Sequence, residues 1–575
     1  MPFVHPIARS CVLAAGLLAA ASAAAVPQYF IVGDPADPRC QFSTIAAAVS
    51  AAQLNGPGLD YVMVATNASY SGQALNVFGQ SLLIEGGYAD CDLNPDPNQP
   101  LTPIIGNGAD PVLRIAPSAA GNYEVRLSRV RLSGGGSTTA NGGGIRLEPF
   151  SNTFVKLSLD NTEVSGNRAS GGGGIYAVRG TSPGGQYSVI LRAGTRITGN
   201  TAGSNGGGLN IVDGSLYIAA DDVRIGDNTA GGAGGGIAML GGTLLVGNPE
   251  LLGPRNDVSG ALVEQNSAGT LGGGIYLFGA STLMEAHELI VNRNTAGGSG
   301  GGIAASNGAR LSLLRDYSAG LGWYCPPARE CSRVSSNQVG NGVASGTRGG
   351  ALALYGGARA ELAQTVVRHN VAQDASAILV DGASVLQTEG VVFTGNRSID
   401  LSNQTGTVIR AGYLSPSAPP DLRIAYSTFM GNVRRDTNGN QQRAIDLVGQ
   451  QGTTLAVYSS AFLDSPYGWT MYSAHTSDCT LRRSGGALDG NGTHSRDAVT
   501  AEPSPFVFLN AGMNDWRPGF NSPLTDFCDS TAYIPRFRDR ELQPRCRDEA
   551  KANRFGSCDV GAWENDQLFA DGYNG

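Results

Sequence analysis

Gly142-Gly143-Gly144-Ile145 recurs as Gly172-Gly173-Gly174-Ile175, Gly206-Gly207-Gly208-Leu209, Gly234-Gly235-Gly236-Ile237, Gly272-Gly273-Gly274-Ile275 and Gly300-Gly301-Gly302-Ile303. It weakens to Gly349-Gly350-Ala351-Leu352 and Ala375-Ser376-Ala377-Ile378. The apolar markers are 30, 34, 28, 38, 28, 49 and 26 residues apart. A second mark alternates with the first, a β-branched or aromatic residue followed three positions later by Asn. It reads Val164…Asn167, Ile197…Asn200, Ile225…Asn228, Val263…Asn266, Val291…Asn294, Val334…Asn337, Val367…Asn370, Phe393…Asn396 and Phe429…Asn432. Repeats of this length belong to solenoids or propellers.

The content of one unit separates the two. In Gly274-Ile275-Tyr276-Leu277-Phe278-Gly279-Ala280-Ser281-Thr282-Leu283-Met284, short apolar runs are split by small residues. Apolar spacing of 3.6 is missing, so a helical solenoid fits poorly. A propeller blade needs four strands and aromatic landmarks. Three short strands per unit, each pairing with its counterpart one coil away, make an all-β parallel β-helix. Its corners need φ > 0, which Gly adopts freely and Asn better than most residues. An Asn at the same place in every coil also allows a ladder of amide hydrogen bonds along the stack. The Ile that follows the glycines should point into the core.

The chain has 575 residues, 83 of them Gly, with charged residues at 15% and a formal charge of −8. That balance argues against a nucleic-acid partner. Residues 1–25 read as a signal peptide, with Arg9, an apolar run and Ala23-Ala24-Ala25 before Val26. No later segment has the length of a transmembrane helix. The expected location is therefore secreted or on a bacterial cell surface. Eight Cys follow the signal: Cys40, Cys91, Cys325, Cys331, Cys479, Cys528, Cys546 and Cys558. An even number in an exported chain reads as disulfides, and Cys-x-x-Cys zinc spacing is missing. Cys40–Cys91 and Cys325–Cys331 are the expected pairs, with the last four paired among themselves. The ends of a stack lack a neighbouring coil, which is where staples are needed.

The expected organisation is 26–115 as N-terminal cap and first coils, 116–470 as repeats, 471–564 as a disulfide-stapled C-terminal cap and 565–575 as a tail. Ser43 reads as the N-cap of a short helix over residues 44–53 that covers the open end of the first coil. The phrases around Cys40-Gln41-Phe42-Ser43-Thr44-Ile45, Tyr61-Val62-Met63-Val64-Ala65 and Leu82-Leu83-Ile84-Glu85-Gly86-Gly87-Tyr88 resemble the N-terminal cap of the pectin-lyase-like superfamily. Across residues 140–432, the paired marks resemble the repeats of polymorphic outer-membrane proteins, a family of right-handed β-helix adhesins, which implies a right-handed parallel β-helix here. Those adhesins end in a β-barrel translocator, for which this chain has no room, so autotransport is not expected. Pro544-Arg545-Cys546 followed by Cys558-Asp559-Val560-Gly561-Ala562-Trp563-Glu564 is similar to the end of the choice-of-anchor domain, type Q. That resemblance implies a closing domain before a surface anchor. Phe569-Ala570-Asp571-Gly572-Tyr573 resembles a short ending of exported bacterial proteins, which implies a sorting tag.

Insertions near residues 248–257 and 315–332 precede the Asn mark of their coils and should emerge on one side, where solenoids often bind. Trp323 and Tyr324, beside Cys325 and Cys331, are the expected recognition residues, because rigid aromatics suit sugars and proteins. Polysaccharide-cleaving members of the superfamily make carboxylate pairs the natural search. Asp221-Asp222 is the best pair, and His287 between Glu285 and Glu288 is the next. The same register in other coils carries Asp160-Asn161 and Glu389-Gly390, as solvated turns do. A calcium-dependent lyase would need acids gathered across coils, and Asp374, Asp381 and Asp400 show no such pattern. No metal or cofactor is expected. The expected function is non-catalytic binding or adhesion toward a polysaccharide or a surface protein. A polysaccharide lyase or glycoside hydrolase is the alternative.

Overall fold

The computed structural model describes residues 27–483 apart from 57, 93–97, 151, 181–184, 220–221, 248–259, 315–331, 341–345, 400–405, 413–417, 436–440, 463–468 and 472–474, together with residues 496–498, 508–510 and 515–518. The signal segment, Asp221, the Trp323–Tyr324 pair, Cys325, Cys331, Cys528, Cys546 and Cys558 lie outside the described residues.

The architecture is a parallel β-helix. One coil shows the plan: Ile175–Val178, Gln186–Leu191, Arg196–Thr198 and Thr201–Ala202 follow one another around the core. Each pairs in parallel with its counterpart in the next coil. Repeated along the chain, this gives a 25-stranded sheet, a 15-stranded sheet and a 10-stranded sheet of strands two or three residues long, whose last pair, Val433–Arg435 and Gln441–Arg443, is antiparallel. The largest sheet holds two strands per coil, here called the first and second arms. The expected three sides are therefore present, with one side bent into two.

The markers form one internal file. Leu113, Ile145, Ile175, Leu209, Ile237, Ile275, Ile303, Leu352, Ile378 and Ile409 are successive register partners. All are buried in a single core. Each buried Ile or Leu contributes about 1.5–3 kcal/mol. The three glycines have different reasons to be Gly. Gly172 has φ +62°, which an L side chain resists. A Cβ on Gly173 would lie 2.6 Å from the Gly207 carbonyl oxygen, and one on Gly174 would lie 3.0 Å from Asn200 Nδ2. The first Gly makes the turn, and the other two let neighbouring coils and the amide ladder close up.

The Asn mark behaves differently from expectation in one respect. The Asn does not take the positive φ; the residue before it does, as at Gly166, Asp227, Gln265, Arg293, Ser336 and His369. That turn aims the Asn inward, where it is buried. Asn200 N–H and Nδ2 both donate to Asn228 Oδ1 at 3.0 Å, and Nδ2 also donates to the Val164 carbonyl at 2.8 Å. The side-chain link repeats from Asn167 through to Asn432. A buried amide is tolerated only when its donors and acceptor are paired, and the ladder pairs both.

The first coil is closed by the helix Ile45–Leu54. Its cap is Thr44, one residue later than expected, with Oγ1 accepting the Ala47 N–H at 3.2 Å. Ile45, Ala48, Val49 and Ala52 face the core, which hides the apolar end and shields a strand edge. Cys40–Cys91 is formed, with Cα atoms 5.3 Å apart. Cys479 is also disulfide-bonded. At the other end, Phe393, Phe429 and Phe462 replace the smaller β-branched residues and stack at 4.5 and 4.6 Å. Parallel pairing continues past residue 470, through His475–Asp478 and from Leu481–Arg483 to Arg496–Ala498. Among the described residues, no helix is long and apolar enough to cross a membrane.

The ladder predicts a specific sensitivity. Asn228→Ala leaves the Asn200 N–H and Nδ2 without their acceptor and the Ile197 carbonyl without its donor. The expected loss is about 2–4 kcal/mol, from unpaired groups that each cost roughly 1–3 kcal/mol. The neighbouring exposed Thr229→Ala should stay within about 0.5 kcal/mol. Urea titration of both variants checks this; equal midpoints would remove the ladder's energetic role.

Candidate functional site

The acids and the histidine that the sequence offered as weak catalytic candidates are dispersed among the described residues. Asp222 lies at the corner between the second arm and the 15-stranded sheet. Its Oδ2 accepts the N–H of Gly194, in the preceding coil, at 2.7 Å, so the carboxylate fastens a turn. His287 ends the strand Ile275–His287, and its Nε2 is 2.9 Å from Glu285 Oε1. It occupies the same corner as Asp222 but two coils later, about 10 Å along the stack. Asp374 Oδ2 is 2.6 Å from Arg410 Nη1, and its Oδ1 accepts the Thr407 hydroxyl at 2.7 Å. Asp381 accepts the N–H of Gly382, and Asp400 lies outside the described residues. Both insertions leave from one corner, since strands ending at Val246 and Leu314 flank them on one side and strands starting at Ala261 and Arg333 on the other.

The site that the structure does assemble is on the outer face of the first arm. Alternation places Ile275 and Leu277 inside and Tyr276 and Phe278 outside. In three successive coils the two arms run together as single strands, Leu209–Ile218, Ile237–Val246 and Ile275–His287. The bend between the arms is made by positive φ at Asp213 (53°), Gly241 (87°), Gly242 (85°) and Gly279 (98°). An open groove of about 450 Å³ follows the bend, lined by Asn205, Asp213, Leu240, Tyr276, Phe278 and Ser281.

Each wall has a local cause. The Tyr276 ring settles over Ala304 and Ala233 in the neighbouring coils, and its hydroxyl is 3.1 Å from Ser306 Oγ. The small Ala is what leaves room for the ring. Phe278 lies 6.1 Å from Tyr276, tilted by 40°, and is 39% exposed. Asp213 is a non-glycine residue in the left-handed region, exposed, with no hydrogen bond or ion pair among the described residues. Gly241 stands beside it at φ +87°, a backbone conformation that an L side chain resists.

Beneath the bend stands Tyr187. Its buried hydroxyl reaches the carbonyls of Ala177 and Val212 at 2.8 Å each and accepts the Val212 N–H at 3.0 Å. The phenol thus holds both backbone groups of the residue before Asp213. Burial pushes its pKa well above the usual tyrosine range, so it stays a neutral donor. Gly214 makes the space, because a Cβ there would lie 2.1 Å from the Tyr187 ring.

The sequence carried one sign of this groove, the aromatic pair at alternate positions after a Gly-Gly-Gly-Ile marker. A rigid aromatic pair beside a carboxylate and an amide can stack on a sugar ring and accept its hydroxyl protons. The groove's own lining contains no His, Glu or second Asp, so it offers no acid–base pair.

Tyr187→Phe removes the buried hydroxyl and with it the bonds to the Ala177 and Val212 backbone groups. An expected cost of about 1–3 kcal/mol should appear as a lowered urea midpoint, and unchanged stability would show that the strut is idle. Compared with family models, curated proteins and solved structures, the chain matches none, so the reading of the groove rests on its own geometry.

Proposed function

We propose that the chain is an exported, non-catalytic binding protein of the cell surface or its surroundings, whose outer flank presents the Tyr276–Phe278–Asp213 groove to a carbohydrate. The observation that carries this reading is the groove itself. A solvent-facing aromatic and an unpaired carboxylate are held on a rigid sheet at a bend built for them. The dispersed acids support binding over cleavage, because Asp222 and Asp374 are each engaged in structural bonds. Export is supported by the amino-terminal segment and by the Cys40–Cys91 bond, which persists in oxidising surroundings.

The test is a glycan array with purified protein, followed by titration of the best ligand. Phe278→Ala and Asp213→Asn should each weaken binding by about tenfold, or about 1.4 kcal/mol. Both side chains are exposed, so folding should be unaffected. Release of reducing or unsaturated ends from any polysaccharide would instead support a lyase or hydrolase. Wild-type affinity in both variants would take the groove out of the account.

A further inference from the structure

Charge is spread unevenly along the corner where the 15-stranded sheet meets the 10-stranded sheet, on the outer side of the amide ladder. In its amino-terminal half the acids Asp227 and Glu264 are both held by Arg224, at 2.7 and 2.8 Å. From the next coil onward the acids stop. Residues 289–297, 332–340, 365–373 and 391–399 hold Arg293, Arg333, Arg368, His369 and Arg397 and no Asp or Glu, in a chain of formal charge −8. The following coil adds Arg434 and Arg435. Glu288, Glu389 and Asp374 border these segments and are buried, the last against Arg410. Glu285 and Glu361 stand on the second arm, beyond the far side of the 15-stranded sheet. Glu330, Asp400 and Asp436 lie outside the described residues, and the six Arg outnumber them. The cations share one edge. Arg293 and His369 occupy the positive-φ turn just before Asn294 and Asn370, two coils apart. Arg368 continues the outward column of Asn292 and Ser335, and Arg397 that of Thr295, Gln338 and Val371. Arg293 and Arg397 are three coils apart, about 14 Å at roughly 4.8 Å per coil. The His369 ring lies over Gly395 of the next coil, in the space a side chain there would fill.

From this we infer that the corner is a second binding site, for an acidic glycan chain carrying carboxylate or sulfate groups, laid along the stack from Arg293 to Arg397. The arrangement chooses the partner. Cations in file along a convex corner match a linear polyanion rather than a plane of lipid headgroups. The large apolar side chains that a membrane surface would take up are exposed elsewhere, none of them in these segments. Nucleic acid fits poorly, because single-stranded bases need aromatic faces to stack on, and the one aromatic ring of these four segments, Phe393, is in the core. Between the cations stand the neutral side chains of Asn292, Thr295, Ser336, Gln338 and Thr394, all partly or fully exposed. They can meet the hydroxyls that separate one acidic group from the next on a sugar chain. Arg guanidinium groups take carboxylate or sulfate oxygens in pairs, with charge-assisted hydrogen bonds. The second arm and the 15-stranded sheet separate this corner from the Tyr276–Phe278–Asp213 groove, so the site does not depend on the reading of the groove.

The experiment is calorimetric titration of the full mature chain with dextran sulfate and with polygalacturonate. Uncharged dextran, polyglutamate and single-stranded DNA serve as contrasts. At least one acidic glycan should bind, dextran should not, and the affinity should fall as salt rises. Gln265 holds the same turn one coil before Arg293, and Thr295 stands in the same column as Arg397. The Arg293→Gln/Arg397→Thr double variant should therefore fold with an unchanged urea midpoint. It should lose about tenfold in affinity for the acidic glycan, and Arg293→Gln alone about threefold. Arg131→Gln/Arg196→Gln removes the same charge from the amino-terminal half of the 15-stranded sheet, on either side of Glu163. That control should stay within about twofold of wild type. Phe278→Ala should bind the acidic glycan as wild type does. Equal losses in the two Arg doubles, binding of neither acidic glycan, or tighter binding of polyglutamate or DNA would each overturn the inference. Acidic-glycan binding that is lost in the Arg293/Arg397 double and intact in Phe278→Ala would support this corner even if the reading of the groove fell.

Discussion

The buried amide ladder is the constraint on which the rest depends. A side-chain amide in the core must find partners for its donors and its carbonyl or carry a large desolvation cost. Here each Asn finds them only if the next coil presents its own Asn at the same height. A slip of one residue in one coil would turn every inward side chain outward and break the ladder on both sides. The ladder thus sets register, and register sets the apolar file from Leu113 to Ile409. It also fixes which side chains face out. Tyr276 and Phe278 are on the outer face of the sheet because Ile275 and Leu277 are on the inner one.

The groove follows from the same constraint by way of the bend. Coils elsewhere break between the two arms, as after Leu147 and before Thr153. In three coils the arms fuse, and the chain must turn within a strand. Glycines 241, 242 and 279 turn without side chains. Asp213 turns with one, held by Tyr187 from below. Its backbone is thereby held, and its exposed carboxylate has no protein partner among the described residues.

Much of the fold was legible because it repeats. A Gly triplet and an Asn that recur at one period report a corner and a ladder, and the structure places them there. The position of the positive φ was not legible. The residue before the Asn is Gly at 166, 199, 395 and 431 but Asp, Gln, Arg, Ser or His in the other coils, since the inward amide forces the turn on whatever precedes it. Cap identity shifted by one residue because Ser43 and Thr44 both suit an N-cap, and only the backbone direction decides. The groove was mostly hidden for the opposite reason. Outward positions do not repeat, so Asp213, Leu240 and Tyr276 stand far apart in sequence with no shared mark. The acids that sequence reasoning raised were legible as residues but not as roles; Asp222 ties a turn, and Asp374 answers Arg410.

The central claim is that successive coils stack in strict register over the whole repeat. Arg168, Thr201, Thr229, Ser267, Thr295, Gln338, Val371 and Arg397 form one outward column in the 10-stranded sheet. Dipolar spectroscopy between a spin label at Arg168 and a second label moved along this column measures the stacking directly. The account predicts a backbone separation of about 34 Å to Arg397, shrinking by about 4.8 Å for each coil that the second label is moved back. Distances that fail to change in equal steps would contradict a single continuous stack.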